Sequence, residues 1–172
     1  MNIPLSVIRG TVHRLGDDVN TDLHCSAKYN IGKPVEWLAR HAFEQLAPGL
    51  AASVRPGDVI VAGKDFGINS SREQAVHVLR AMGVAAVVAR SFGRQFYRNA
   101  INNGLPIAEC DVSRIEAGDL IEVDVAAGRI EVAARAFRAE VPRLPPAVLA
   151  LVAAGGLLPY LRQHPDWGLP AA

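Results

Sequence analysis

The stretch Gly63 to Glu73, Gly-Lys-Asp-Phe-Gly-Ile-Asn-Ser-Ser-Arg-Glu, constrains this chain more than any other. It follows the short apolar run Val59-Ile60-Val61-Ala62, which has strand character. Behind it, Ala75, Val76, Val78, Leu79 and Met82 recur at helical spacing and predict a helix from Gln74 to Met82. Gly83 is placed to cap that helix. Val84 to Ala89 is then a continuous apolar run, the pattern of a strand buried on both faces. Strand, glycine-punctuated loop, helix and strand in this order imply a parallel crossover.

A helix start presents unpaired backbone N–H groups and the positive end of the dipole, which suits a carboxylate or a phosphate. Ser70, Ser71 and Arg72 supply two hydroxyls and a guanidinium at that point. A purely structural reading also fits. Ser70-Ser71-Arg72-Glu73 matches a capping box, with Ser70 as N-cap and Glu73 three residues on. Capping leaves Arg72 unexplained, because a cation in the first turn opposes the dipole at about 0.3–1 kcal/mol. A bound anion would reverse that sign.

The chain has 172 residues, enough for one domain with a real core. Its net charge of +1 and scattered arginines give no electrostatic case for nucleic acid. Two widely separated cysteines, Cys25 and Cys110, form neither a disulfide framework nor a metal-ligand array, and point to a reducing cytoplasm. No apolar run reaches the length of about 18 residues that a membrane span needs, and Met1 to Arg14 lacks a signal-peptide core.

Ile8 to Leu15 alternates loosely and predicts a first strand. Asp17, Asp18 and Asp22 lie in a polar turn; a cation site there is disfavoured, because the glycine and distal glutamate of a calcium loop are missing. His24-Cys25 has no second pair at zinc spacing. No local pattern supports Cys25 as a nucleophile. Val35 to Leu46 reads as a helix with Leu38, Ala42, Phe43 and Leu46 on one face, and His41 as a surface or packing residue. Ser91-Phe92-Gly93 opens a further helix that Gly104 closes. Leu105 to Ala108 predicts a short strand. Leu120 to Val125 and Ile130 to Ala134 alternate around a glycine-containing turn and predict a β-hairpin. Pro145 to Ala154 predicts an apolar helix, and residues 163–172 a frayed tail. The expected fold class is α/β, a single domain over residues 1–172 with a mixed sheet and flanking helices.

The run Gly63 to Glu109 resembles the small subunit of 3-isopropylmalate dehydratase and of the related homoaconitases, the swivelling β/β/α domain of the aconitase superfamily. The family pattern is close to Gly-Glu-Asn-Phe-Gly-Cys-Gly-Ser-Ser-Arg-Glu. The stretch Ala89 to Gly104 is similar to the family's helix, Asp17 to Asp22 to its aspartate-rich signature, and Ala153 to Leu161 to its usual C-terminus. The resemblance covers nearly the whole chain in order.

It implies a hydro-lyase of two kinds of subunit, a heterodimer or heterotetramer. A large subunit holds a [4Fe–4S] cluster, and the small subunit closes over a hydroxy-diacid substrate. Water is removed and added back at the neighbouring carbon. By resemblance Ser70 is the base, acting as an alkoxide, and Ser71 and Arg72 contact substrate oxygens. Two cysteines cannot supply a cluster's ligands, so the chain alone is expected to be inactive.

Two departures from the family pattern matter. Asn69 stands at the second loop glycine; asparagine tolerates positive φ better than most residues. In the specificity loop, some homoaconitases carry Tyr-Leu-Arg-Thr, whose arginine reads an extra carboxylate. This chain has Tyr29-Asn30-Ile31-Gly32, with Ser26 where an upstream proline is usual. Ile31 offers an alkyl surface and no charge, which favours isopropylmalate in leucine biosynthesis over homocitrate. The alternatives are a hydratase or dehydratase for another alkyl-substituted malate (dimethylmaleate, methylmalate) or for homoaconitate, or a non-catalytic relative.

Overall fold

The computed structural model describes residues 7–25, 32–166 and 168. Its strands are β1 (Ile8–Arg14), β2 (Val59–Ala62), β3 (Ala86–Ala89), β4 (Ile107–Glu109), β5 (Leu120–Asp124), β6 (Arg129–Val132) and β7 (Phe137–Glu140). The helices are α1 (Thr21–His24), α2 (Val35–His41), α3 (Leu50–Ser53), α4 (Gln74–Met82), α5 (Arg94–Asn102), α6 (Pro146–Ala153) and α7 (Leu157–Gln163). One mixed sheet holds all seven strands in the order β4-β3-β2-β1-β5-β6-β7.

The predicted crossover is present: β2 and β3 run parallel, in register from Val59 opposite Ala86 to Ala62 opposite Ala89. β1 joins β2 in parallel, with Val12 opposite Val59, and β4 joins β3 in parallel. On its other side β1 meets β5 antiparallel, with Ile8 opposite Val123. β1 is therefore where the sheet changes sense.

The side-chain period of two explains why β2 and β3 read as unbroken apolar runs. Ile60, Ala62, Val87 and Ala89 face a core shared with Leu38, Val78, Leu79 and Phe96 of the helices. Val59, Val61, Ala86 and Val88 face a second core with Ile115, Ile121, Val123, Ile130 and Val132. Strands buried on both faces leave no room for a polar alternation.

The predicted hairpin is there, but it is part of a three-stranded meander. β6 continues into β7 with Val132 opposite Phe137. β7 is absent from the sequence-based expectation. Its Phe137 and Ala139 alternate with exposed Arg138 and Glu140, as an edge strand does.

The helix predicted over Val35 to Leu46 ends at His41. Ala42 turns extended and Phe43 takes a left-handed φ of 61°, with its N–H bonded to the carbonyl of His24. Phe43 is fully buried by this turn, whereas Leu46 is left exposed. Helical spacing alone could not show that break. His41 stacks on Trp37 at 3.8 Å, a packing role. α3 was likewise not expected. At the other end Tyr160 donates from its hydroxyl to the carbonyl of Gly168. Among the described residues no helix is long and apolar enough to cross a membrane.

Candidate functional site

The carboxyl ends of β1, β2 and β3 lead into three loops that meet at one edge of the sheet, where open α/β folds place their ligands. The loop after β2 is Gly63 to Glu73, and its neighbours dictate its shape. Oδ1 of Asp17 accepts from the amide of Lys64 at 2.7 Å, and it lies where a Cβ on residue 63 would sit. Glycine is required at 63 for that reason. Asp17 is thus a loop clamp.

Further along, the amide of Asp65 donates to Oγ of Ser91, and the amide of Gly67 donates to the carbonyl of Val19 at 2.8 Å. Asp65, Gly67 and Asn69 all take positive φ, at 55°, 81° and 58°. Asn69 is therefore in the left-handed conformation that its residue type tolerates. Its side chain is exposed.

The capping box is not formed. The N-cap of α4 is Glu73, with no side-chain cap bond. Ser71 and Arg72 precede the helix as an exposed, non-helical link. The amide of Ser70 reaches back to the carbonyl of Gly67 at 3.3 Å, which turns its side chain inward instead of toward the helix amides. Ser70 is 2% exposed, and among the described residues its Oγ has no hydrogen-bond partner. An unsatisfied buried hydroxyl costs about 1–3 kcal/mol, so such a group calls for an explanation outside stability.

Arg72 is half exposed, and its Nε lies 3.4 Å from Oδ1 of Asp22 on α1. The acid offsets the misplaced charge that sequence reading found at this helix end. The sequence offers Asp22 as a turn residue or a disfavoured cation ligand, not as a partner of Arg72. As one of three aspartates in a turn, it carried no signal of a long-range partner. Thr21 beside it is fully buried, and its hydroxyl is a second orphan. Asn20 caps α1, accepting from the amides of Asp22 and Leu23, as the turn reading of that run requires.

Ser70, Ser71 and Arg72 stand in sequence just before α4, Ser70 buried and the other two exposed. Ile31, expected to contact substrate, lies outside the described residues, as do Ser26, Tyr29 and Asn30.

The residues do not fit a cluster bound by this chain. Cys25 belongs to the core on the helix side, and Cys110 packs on the opposite face of the sheet. Burial pushes the Cys25 thiol well up, and it pushes Cys110 up to about 11, with Asp111 adding to the effect. Neither sulfur is a ready thiolate. Among the described residues no group of three or more His, Cys, Asp or Glu side chains converges on a metal-sized site.

The aconitase C-terminal domain family matches residues 50–109. A 3-isopropylmalate dehydratase small subunit from Moorella thermoacetica is 48% identical over 158 residues, 90% of this chain and 95% of that protein. One from Halothermothrix orenii is 46% identical over the same length and coverage. A crystal structure of 3-isopropylmalate dehydratase from Methanocaldococcus jannaschii superposes with a TM-score of 0.86 at 37% identity, covering 93% of this chain and 96% of that one. At such identity over nearly the full length of both partners, the chain belongs to the family of 3-isopropylmalate dehydratase small subunits.

Proposed function

We propose that this chain is the small subunit of a hydro-lyase that converts 2-isopropylmalate to 3-isopropylmalate in leucine biosynthesis, working with a large subunit. The observation that carries the reading is Ser70. Its hydroxyl is buried and unpartnered at a helix start, with Arg72 two residues on. The names of the relatives supply the substrate.

The partner's [4Fe–4S] cluster would supply a Lewis acid for the hydroxyl that leaves. This chain's own residues do the rest. Ser70 Oγ takes the proton from the substrate carbon as water departs, and returns it to the neighbouring position on rehydration. A serine alkoxide is disfavoured by burial, so positive charge must stand near it. The Arg72 guanidinium, two residues on, would supply that charge. Ser71 and Arg72 are exposed at the same edge, where Arg72, directed by Asp22, would meet the carboxylates of a diacid held by the partner. Ile31 would pack on the isopropyl group. Closure of the large subunit over this edge would exclude water from Ser70.

The test is an anaerobic assay of this chain with its cluster-loaded large subunit on isopropylmalate, citramalate, dimethylmalate and homocitrate. Turnover of isopropylmalate that needs both subunits and vanishes in Ser70→Ala supports the reading. Preference for another alkyl malate would replace the substrate. No turnover from an intact complex would leave a non-catalytic relative.

A further inference from the structure

The link that carries the substrate-facing groups is poorly held by its own backbone. Among the described residues, the amides of Ser71, Arg72 and Glu73 donate to no main-chain carbonyl. What holds the link is α5. Nδ2 of Asn99 donates to the carbonyl of Ser71 at 3.3 Å. One turn on, Nδ2 of Asn103 donates to Oε2 of Glu73 at 3.4 Å and to the carbonyl of Asn99 at 2.9 Å. Arg72 is therefore flanked on both sides by residues tied to α5.

Asn103 is itself oriented. Its Oδ1 lies 2.8 Å from Nε2 of His77, which must donate because the amide nitrogen of Asn103 is turned to Glu73. Nη1 of Arg80 bonds the main-chain carbonyl of Asn103 and, at 3.2 Å, that of Gly155. A connected set of bonds thus runs from the α6–α7 turn through α4 and α5 to Ser71. Asn99 lies in the last turn of α5 and Asn103 is the C-cap that ends it. Neither residue has a hydrogen bond to Ser70 or Arg72, so each acts through the link.

We propose that Asn99 and Asn103 are positioning residues. They fix the main chain at Ser71 and Glu73 so that Arg72 and Ser71 meet the substrate carboxylates in one geometry. The proposal rests on the reading of Ser70 to Arg72 as the substrate-facing segment. Its structural part does not depend on which diacid is bound.

Asn99→Asp and Asn103→Asp keep shape and remove the donor; the first sets an oxygen against the Ser71 carbonyl, the second a carboxylate against Glu73. Two readouts decide. In the full chain, backbone amide order parameters at Ser71 and Arg72 are expected to fall from about 0.85 to below about 0.6, with those of β2 and β3 unchanged. In the complex with the cluster-loaded large subunit, kcat for 2-isopropylmalate is expected to fall about 100-fold, with a smaller change in KM. Unchanged order parameters at Ser71 and Arg72, or an unchanged kcat, would overturn the proposal. So would a loss of order throughout β2 and β3 with a falling thermal midpoint, which would give the asparagines a role in the fold alone. Should the wild-type complex turn over no diacid, the functional reading fails separately, and the order parameters still decide whether α5 holds the link.

Discussion

Oδ1 of Asp22 lies 3.4 Å from Nε of Arg72, tying the loop after β1 to the loop after β2 across the carboxyl ends of the strands. Arg72 is 45% exposed and Asp22 16%, so the pair adds less than about 1 kcal/mol to stability. Its effect falls on the direction of the guanidinium. Asp22→Asn is expected to raise KM for the diacid about tenfold, equivalent to about 1.4 kcal/mol of binding, with the thermal midpoint nearly unchanged. Steady-state kinetics of the complex beside a melting curve of the chain checks both halves.

Ser70→Ala separates chemistry from stability in the opposite sense. It removes an orphan buried hydroxyl, so the chain should be as stable as wild type or up to about 1 kcal/mol more stable in urea unfolding. The same change should lower kcat by about 100- to 10,000-fold, the usual contribution of a general base.

Gly93 tests the close approach of the two loops. Its φ of −59° is open to any residue, yet a Cβ there would stand 2.5 Å from the carbonyl oxygen of Gly67. Gly93→Ala is expected to destabilise the chain by about 1–3 kcal/mol and to lower kcat. Gly16→Ala, where a Cβ meets open space, is the control and should be neutral or slightly stabilising. Denaturant midpoints of the two variants give the comparison.

Much of this was legible in the residues because it is local. The β2–α4–β3 crossover follows from two apolar runs on either side of one amphipathic stretch, and α5 from the positions of Phe96 and Ala100. The motif around Ser70 was legible too. Its geometry was not, because a serine three residues before a glutamate looks the same whether its hydroxyl caps a helix or turns into the core. What decides is the left-handed turn at Asn69 and the bond from the Ser70 amide to Gly67. The pairing of Asp22 with Arg72 and the ties from Asn99 and Asn103 are long-range, and no local periodicity reports them. β7 could have been found, since Phe137, Ala139 and Val141 alternate, but half-exposed edge strands carry a weak signal.

The thiols give a chemical check on the absence of a cysteine nucleophile in this reading. With Cys110 at about 11, roughly one thiol in a thousand is ionised at pH 8, and Cys25 is further suppressed by burial. Labelling of the native chain by a disulfide reagent at pH 8 should be slow at both sites and fast in denaturant. Cys25→Ala should retain kcat.

Asp58 contributes to the acid sensitivity of the fold. Burial alone would raise its carboxyl. The hydrogen bond from His13 at 2.8 Å and the amides of Arg55 and Thr11 outweigh burial and hold it below the ordinary carboxylate range. The native state therefore binds this proton less readily than the unfolded chain. The stabilisation is full above the unfolded value, about 4, and is lost as pH falls through the lower folded value. Asp58→Asn should remove about 1–3 kcal/mol at pH 7 and flatten the decline below pH 4, read from urea midpoints across pH.

The change of sense at β1 bears on the order in which the chain can assemble. β2, α4, β3, α5 and β4 form from one continuous stretch, whereas the second edge of β1 has to wait for β5, since Ile8 pairs with Val123. During synthesis the parallel half is complete while that edge is still bare. Joining the meander to it closes the largest sequence separation in the sheet, and non-local pairing of that kind is intrinsically slow. Until then β1 is an open template for another nascent chain. The interval between emergence of β4 and of β5 is when this protein is most exposed to misassembly.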